Sequence, residues 1–207
     1  MTKAIRIHQH GGPEVLLWED IDLAPPAAGE VRIRHTAVGL NYIDVYHRTG
    51  LYPNPLPFTP GLEAVGVVEA VGTGVTQIKF GERVGYATGP LGAYAETRVM
   101  PADRLVKVPA GISDEQAAAM LLQGMTVEYL LRRTYPVARG ETILIHAAAG
   151  GVGLILCQWA KHLGATVIGT VSSDEKAALV SRNGCDHPIV YTREDFPARV
   201  LEITRGK

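Results

Sequence analysis

Residues 143–163 constrain this chain more than any other stretch. Three branched apolar residues, Ile143-Leu144-Ile145, lead through His146 into Ala147-Ala148-Ala149-Gly150-Gly151-Val152-Gly153 and then into an amphipathic run ending at Leu163. Apolar strand, small-residue loop and helix form the context in which a glycine fingerprint binds a dinucleotide. Laid on G-x-G-x-x-G, the three fixed positions are Ala148, Gly150 and Gly153, so the next smallest residue replaces the first glycine. Gly150 or Gly151 lets the backbone approach a pyrophosphate, the N–H groups of the opening helix attract its charge, and Gly153 lets helix pack on strand. Gly150, Gly151, Val152 and Gly153 are therefore candidate pyrophosphate-binding residues. The competing reading is a tight turn that needs only small side chains.

The nucleotide is chosen at the tip of the second strand, where an acidic residue would hold the 2′-hydroxyl of NAD. Nineteen positions on from Gly153 stands Ser172, in Thr170-Val171-Ser172-Ser173-Asp174-Glu175-Lys176, with no carboxylate at the tip itself. The hydroxyls of Ser172 and Ser173 and the ammonium of Lys176, one helical turn on, suit a 2′-phosphate that an acid there would repel. NADPH is expected over NADH. In the alternative, Ser173 caps the helix and Lys176 is solvated, while Asp174 and Glu175 subtract from the positive field. Tyr191, at the end of the third strand, either flanks the adenine or its phosphate or is a core tyrosine.

The two halves of the chain differ in grammar. From Met1 to about Pro109, short alternating strands cut by Gly and Pro, such as residues 30–34 and 93–99, predict a β-rich domain. Its glycines at 61, 66, 72, 74, 81 and 85 suit a partly closed barrel. Residues 43–48 interrupt it as a brief helical turn with Asn41 as its cap. Ser113-Asp114-Glu115-Gln116 has the form of a capping box opening an Ala-rich helix to about Leu122, and a second helix covers about 127–134. Beyond a turn at 137–140, strands at 142–146, 166–171 and 189–191 alternate with helices at 151–163, 174–183 and 195–204, the pattern of a parallel sheet. The fold class is α/β: residues 1–112 a β-barrel domain, residues 113–207 part of a doubly wound parallel sheet.

Charge narrows the partners. Twenty Lys and Arg against 21 Asp and Glu, spread along the chain, give no footing for nucleic acid or an anionic membrane. No apolar stretch is long enough for a signal or a membrane span. Cys157 and Cys185, the only two cysteines, form neither a disulfide framework nor a metal spacing and are expected in the core of a cytoplasmic protein. The seven histidines are scattered, never spaced as ligands on one helix face, and are read as structural or surface residues.

Further segments carry a resemblance: His10-Gly11-Gly12-Pro13-Glu14-Val15-Leu16, Gly39-Leu40-Asn41-Tyr42-Ile43-Asp44, Gly50-Leu51-Tyr52-Pro53, Gly61-Leu62-Glu63-Ala64-Val65-Gly66, Leu91-Gly92-Ala93-Tyr94-Ala95 and Gln123-Gly124-Met125-Thr126. With the Ala-rich loop, they make the whole chain resemble the quinone oxidoreductases of the medium-chain dehydrogenase/reductase superfamily, the group that includes zeta-crystallin. The resemblance implies a GroES-like barrel followed by a Rossmann domain, NADPH as cofactor and a small-molecule quinone as acceptor. Zinc alcohol dehydrogenases of that superfamily hold catalytic zinc with Cys, His and Cys, and those places look like Asn41, Leu62 and Gln123 here. Two cysteines cannot build the four-cysteine structural lobe either, so a metal-free enzyme is expected. Without a Lewis acid, hydride transfer needs an acceptor that already stabilises negative charge, a quinone or a conjugated enone.

By the same resemblance Asn41, Tyr42, Ile43, Asp44 and Val45 line the nicotinamide and substrate end. Tyr52 overhangs it from the Pro-rich loop, and Tyr129 contacts the cofactor. Asn41 and Gln123 are candidate donors of amide hydrogen bonds to a reduced quinone oxygen, while Tyr46 and Tyr52 either stack on a flat acceptor or pack in the core. Two alternatives stay open: a zinc-free enone or enoyl-thioester reductase on the same scaffold, and a non-catalytic, crystallin-like NADPH-binding fragment. The chain stops after a helix that in the family feeds a fourth parallel strand, so it resembles a C-terminally truncated member. A half-wound sheet is expected to expose an apolar edge, and the family's full-length form is expected to be a homo-oligomer, a dimer.

Overall fold

The computed structural model describes Met1 to Gly206 and divides into two compact units, Met1–Leu122 and Gln123–Lys207. In the first, β1 (Thr2–Arg6) and β2 (Leu17–Ile21) pair as an antiparallel ribbon. A five-stranded antiparallel sheet is built around β3 (Glu30–Val38) and β4 (Ala64–Val71). β5 (Arg83–Tyr86), β6 (Thr97–Pro101) and β7 (Val106–Lys107) complete it in the order β6-β3-β4-β5-β7. Alternation along these strands sends Val31, Ile33, Val68, Val84 and Met100 into one core. The β3–β4 register slips at Arg32/Ile33 and again at His35/Ala37, and such bulges bend a sheet. Gly66 sits at the second slip, where a Cβ would stand 2.2 Å from the Arg34 carbonyl oxygen.

Residues 93–99 do not form the expected strand; the ladder begins only at Thr97. The preceding backbone is already committed elsewhere. The amides of Gly92 and Ala93 both donate to the Gly61 carbonyl, that of Tyr94 to Pro60, and that of Glu96 to Lys3. These bonds tie the segment to two neighbours instead of one strand.

Asn41 caps α1 (Tyr42–Thr49), which ends at Gly50 in the left-handed region, φ +81°. The capping box opening α2 (Asp114–Tyr129) is reciprocal: Gln116 N donates to Ser113 Oγ at 3.2 Å, and Ser113 N donates to Gln116 Oε1 at 3.1 Å. The two helices expected at 113–122 and 127–134 are one, continued by a π-turn over Leu130–Thr134. No proline intervenes, and Gly124, with open space around its Cα, costs a helix interior only about 1 kcal/mol. The division between the units falls at Leu122/Gln123, inside this helix.

In the second unit β8 (Thr142–Ile145), α3 (Gly151–Leu163), β9 (Thr166–Val171), α4 (Asp174–Arg182), β10 (His187–Val190) and α5 (Phe196–Thr204) alternate as the sequence predicts. The sheet is parallel, in the order β10-β9-β8. That is one half of a doubly wound sheet. β9, the central strand, is buried from Val167 to Val171, which explains its unbroken apolar run. Cys157 and Cys185 lie in this core as free thiols. α5 has no buried residue, and Leu144 and Leu201 are exposed.

Candidate functional site

The loop between β8 and α3 is shaped by close approaches. Ala147 takes φ +51°, a left-handed conformation uncommon for a residue with a Cβ. Its carbonyl accepts the Gly150 amide at 2.9 Å. A Cβ on Gly153 would stand 2.5 Å from Ala147 O and 2.6 Å from Ala148 O, so α3 meets the loop only because residue 153 is glycine. Ala148, standing where the fingerprint has its first glycine, is fully buried. Its methyl is accommodated by Gly169 of β9, where a Cβ would come within 2.8 Å of Ala148 Cβ. Gly150 is the N-cap of α3 and supplies no side-chain acceptor, so the helix start is left to an incoming anion. Gln123 lies against this end: a Cβ on Gly151 would meet its amide at 2.9–3.0 Å.

A cavity of about 660 Å³ opens beside the loop. Among the sequence candidates, Gly150, Ser172, Lys176 and Tyr191 line it. Lys176 Nζ donates to Ser172 Oγ at 3.0 Å, which brings ammonium and hydroxyl together at the tip of β9. Ser173 does not face the cavity; it is the N-cap of α4 and accepts the Lys176 amide. Gly151 and Val152 are the first residues of α3 and do not line the cavity, and Gly153 is buried beneath the loop. Asp174 is engaged by Arg193 through two bonds of 2.6 and 2.5 Å, and the guanidinium holds its carboxyl below the usual carboxylate range. Tyr129, half-exposed on α2, lies outside this cavity.

Three lining residues escape the motif reading. His146 bonds Thr170 Oγ1 at 3.0 Å and meets the ring of Phe196 edge-on at 5.3 Å. Phe196 closes the side of the cavity from the start of α5, a sequence distance that no local motif spans.

In the first unit the candidates gather on α1. Tyr42, Tyr46 and Tyr52 form an edge-to-face ladder with ring centroids 5.2 and 5.3 Å apart, and Tyr42 is 74% exposed. These rings are not core tyrosines. Ile43 and Val45 are half-buried. Asp44 is buried: its Oδ2 accepts the Asn41 amide at 3.0 Å and the Tyr94 hydroxyl at 2.8 Å. Burial pushes the Asp44 carboxyl up, against the pull of those two bonds.

Asn41 is held from below by a residue the motif reading passed over. Its Nδ2 donates to Glu63 Oε2 at 2.7 Å, while Glu63 Oε1 accepts the Leu122 amide at 2.8 Å. Glu63 is fully buried, and burial raises its carboxyl above the ordinary range. The signal was present: a lone acid stands directly before the apolar strand Ala64–Val71. Leu62, which looks like the second of the three zinc-ligand positions, is half-buried. Among the described residues no three or more His, Cys, Asp or Glu side chains are grouped to hold a metal ion.

Comparison with known proteins follows this division. Residues 27–110 match the alcohol dehydrogenase GroES-like domain, and residues 151–207 match the zinc-binding dehydrogenase domain. The chain is 56% identical over its whole length to a quinone oxidoreductase of Pseudomonas aeruginosa and 49% identical to a 2-haloacrylate reductase of a Burkholderia species. It spans 64% of the length of each. The crystal structure of the Escherichia coli quinone oxidoreductase complexed with NADPH superposes with a TM-score of 0.97 at 51% identity, over 99% of this chain and 63% of that one. Along its whole length the chain is thus similar to quinone oxidoreductases, and it carries matches to both the GroES-like and the zinc-binding dehydrogenase domains.

Proposed function

We propose that this chain carries the barrel domain and the nucleotide-gripping half of an NADPH-dependent quinone reductase. The observation that carries the reading is the tip of β9, where Lys176 and Ser172 face the cavity together while Asp174, the nearest acid, is neutralised by Arg193. The residues fit the cofactor. Gly150, Gly151 and Val152 bind its pyrophosphate through the start of α3, Lys176 and Ser172 hold the 2′-phosphate, and Tyr191 flanks the adenine. When bound, NADPH supplies the hydride, and the acceptor is a quinone that needs no metal to take it. Asn41, Tyr42, Ile43, Asp44, Val45 and Tyr129 are assigned to the nicotinamide end, and the edge-to-face pair of half-buried Tyr46 and exposed Tyr52 offers a flat acceptor a stacking surface. Gln123 borders the helix start and has an amide to donate. The complete protein is proposed to be a cytoplasmic homodimer.

The 2-haloacrylate reductase relative favours a second acceptor class, conjugated carboxylates and enones, on the same scaffold. Titration with NADPH and NADH, followed by turnover with 1,4-quinones and conjugated enals, tests the reading. NADPH is expected to bind more tightly, and Ser172→Asp to narrow that preference by roughly tenfold to a hundredfold, the worth of one charge-assisted bond. Equal affinity of the parent for the two nucleotides, or unchanged selectivity in the variant, would overturn the 2′-phosphate assignment.

A further inference from the structure

The segment that follows β10 folds on itself and then grips the tip of β9. The amides of Arg193 and Glu194 both donate to the Val190 carbonyl, at 3.1 and 3.0 Å, and Glu194 Oε1 accepts the Val190 amide at 2.8 Å. Three connections then run across to β9 and the start of α4. The Tyr191 amide donates to the Val171 carbonyl at 3.1 Å, Thr192 Oγ1 donates to the Ser172 carbonyl at 3.3 Å, and both terminal nitrogens of Arg193 close on the Asp174 carboxylate. A two-point grip of this kind fixes the plane of the guanidinium as well as its distance. The Arg193 and Asp174 side chains are 57% and 73% exposed, so the pair adds little to stability. Its effect is on charge: the guanidinium keeps the Asp174 carboxyl ionised, below the usual carboxylate range, and matches it.

Asp174 occupies a position where charge matters to a nucleotide. It stands 21 positions on from Gly153, close to the roughly 20-residue separation at which the acid of an NAD-binding fold meets the ribose 2′-hydroxyl. It is also two residues from Ser172 and two from Lys176, which both line the cavity. Two residues span at most about 7 Å of chain, less than the screening length of about 8 Å at physiological ionic strength. An unmatched carboxylate there repels a 2′-phosphate and suits a 2′-hydroxyl. We propose that Arg193 is a specificity-determining residue that acts through Asp174: by matching its charge it keeps the tip of β9 open to the 2′-phosphate of NADPH, and without it the carboxylate favours NADH. This rests on the reading of the cavity as a nucleotide site and asks for no contact between Arg193 and the ligand. Two other roles for Arg193 predict different signs. If the pair only held the loop in place, losing either partner would have the same effect. If Arg193 itself bound the phosphate, removing Asp174 would not compensate for its loss.

The affinities of the full chain for NADPH and NADH, measured by nicotinamide fluorescence at low and at high salt, test this in the parent, Arg193→Met, Asp174→Asn and the double variant. Arg193→Met is expected to lower the preference for NADPH on the order of threefold to tenfold, and by less at high salt, the worth of one screened charge at this distance. Asp174→Asn is expected to leave the preference unchanged or to raise it, and the double variant to recover what Arg193→Met loses. An unchanged preference in Arg193→Met, an equal fall in Asp174→Asn, or a double variant as low as Arg193→Met would overturn the proposal. Should Arg193→Met not fold, Arg193→Gln takes its place in the same comparison. A parent that binds neither nucleotide, or both equally, would overturn the nucleotide reading itself, whereas a parent that prefers NADPH regardless of Arg193 overturns this proposal alone.

Discussion

His35 stands on β3 with both ring nitrogens engaged. Its Nδ1 donates to the Ala95 carbonyl at 2.6 Å, and the Tyr86 hydroxyl donates to Nε2 at 2.9 Å, an arrangement that requires the neutral ring. Burial, with the nearby Arg98 charge, lowers its pKa to about 4. An unfolded histidine titrates near 6.5. The stabilisation is therefore complete above about pH 6.5 and is lost as pH falls from there toward 4, for a total of up to about 3 kcal/mol. Urea denaturation between pH 7.5 and 4 should show this slope, and His35→Gln, which keeps a donor and an acceptor, should flatten it. Equal slopes in the two proteins would refute the assignment. At this scale the sequence was legible only where chemistry is local. Ser172 and Lys176 are four residues apart and could be paired by counting, whereas Glu63 with Asn41, or Phe196 with His146, meet through tertiary packing that one sequence does not reveal.

Among the elements, α3 depends on one contact. With Ala147 and Ala148 carbonyl oxygens at 2.5 and 2.6 Å from the place of a Cβ, Gly153→Ala must push helix from loop. A cost of about 1–3 kcal/mol is expected, with nucleotide affinity weakened as well, because the same displacement moves the N–H groups that bind the pyrophosphate. Thermal unfolding and NADPH titration check the two effects, and a variant unchanged in both would show that the contact is slack. The parallel half of the fold was readable because its periods are regular and its caps local: Ser173 and Asp195 each occupy an N-cap, as Ser113 does at the start of α2. The misreadings have different causes. The helices expected at 113–122 and 127–134 run on as one through Gly124, which a helix interior tolerates, whereas residues 93–96 looked like a strand but spend their amides on separate neighbours. In the second place tertiary bonding outweighed local preference.

At the scale of the whole molecule, no helix among the described residues is long and apolar enough to cross a membrane. Its apolar surface shows itself otherwise. α5 buries no residue, and Leu144 and Leu201 are 39% and 55% exposed. A chain with uncovered apolar faces of this kind is expected to self-associate. Sedimentation velocity over a concentration series should show growing species, and a monodisperse monomer at all concentrations would contradict this. The nucleotide loop gives a different lesson about size. Its fingerprint lacks a glycine where Ala148 stands, yet Gly169, on another strand, leaves room for the missing hydrogen's replacement. Room for the Ala148 methyl is thus a property of the pair it makes with Gly169, and a motif scored along the chain counts only one side of that contact.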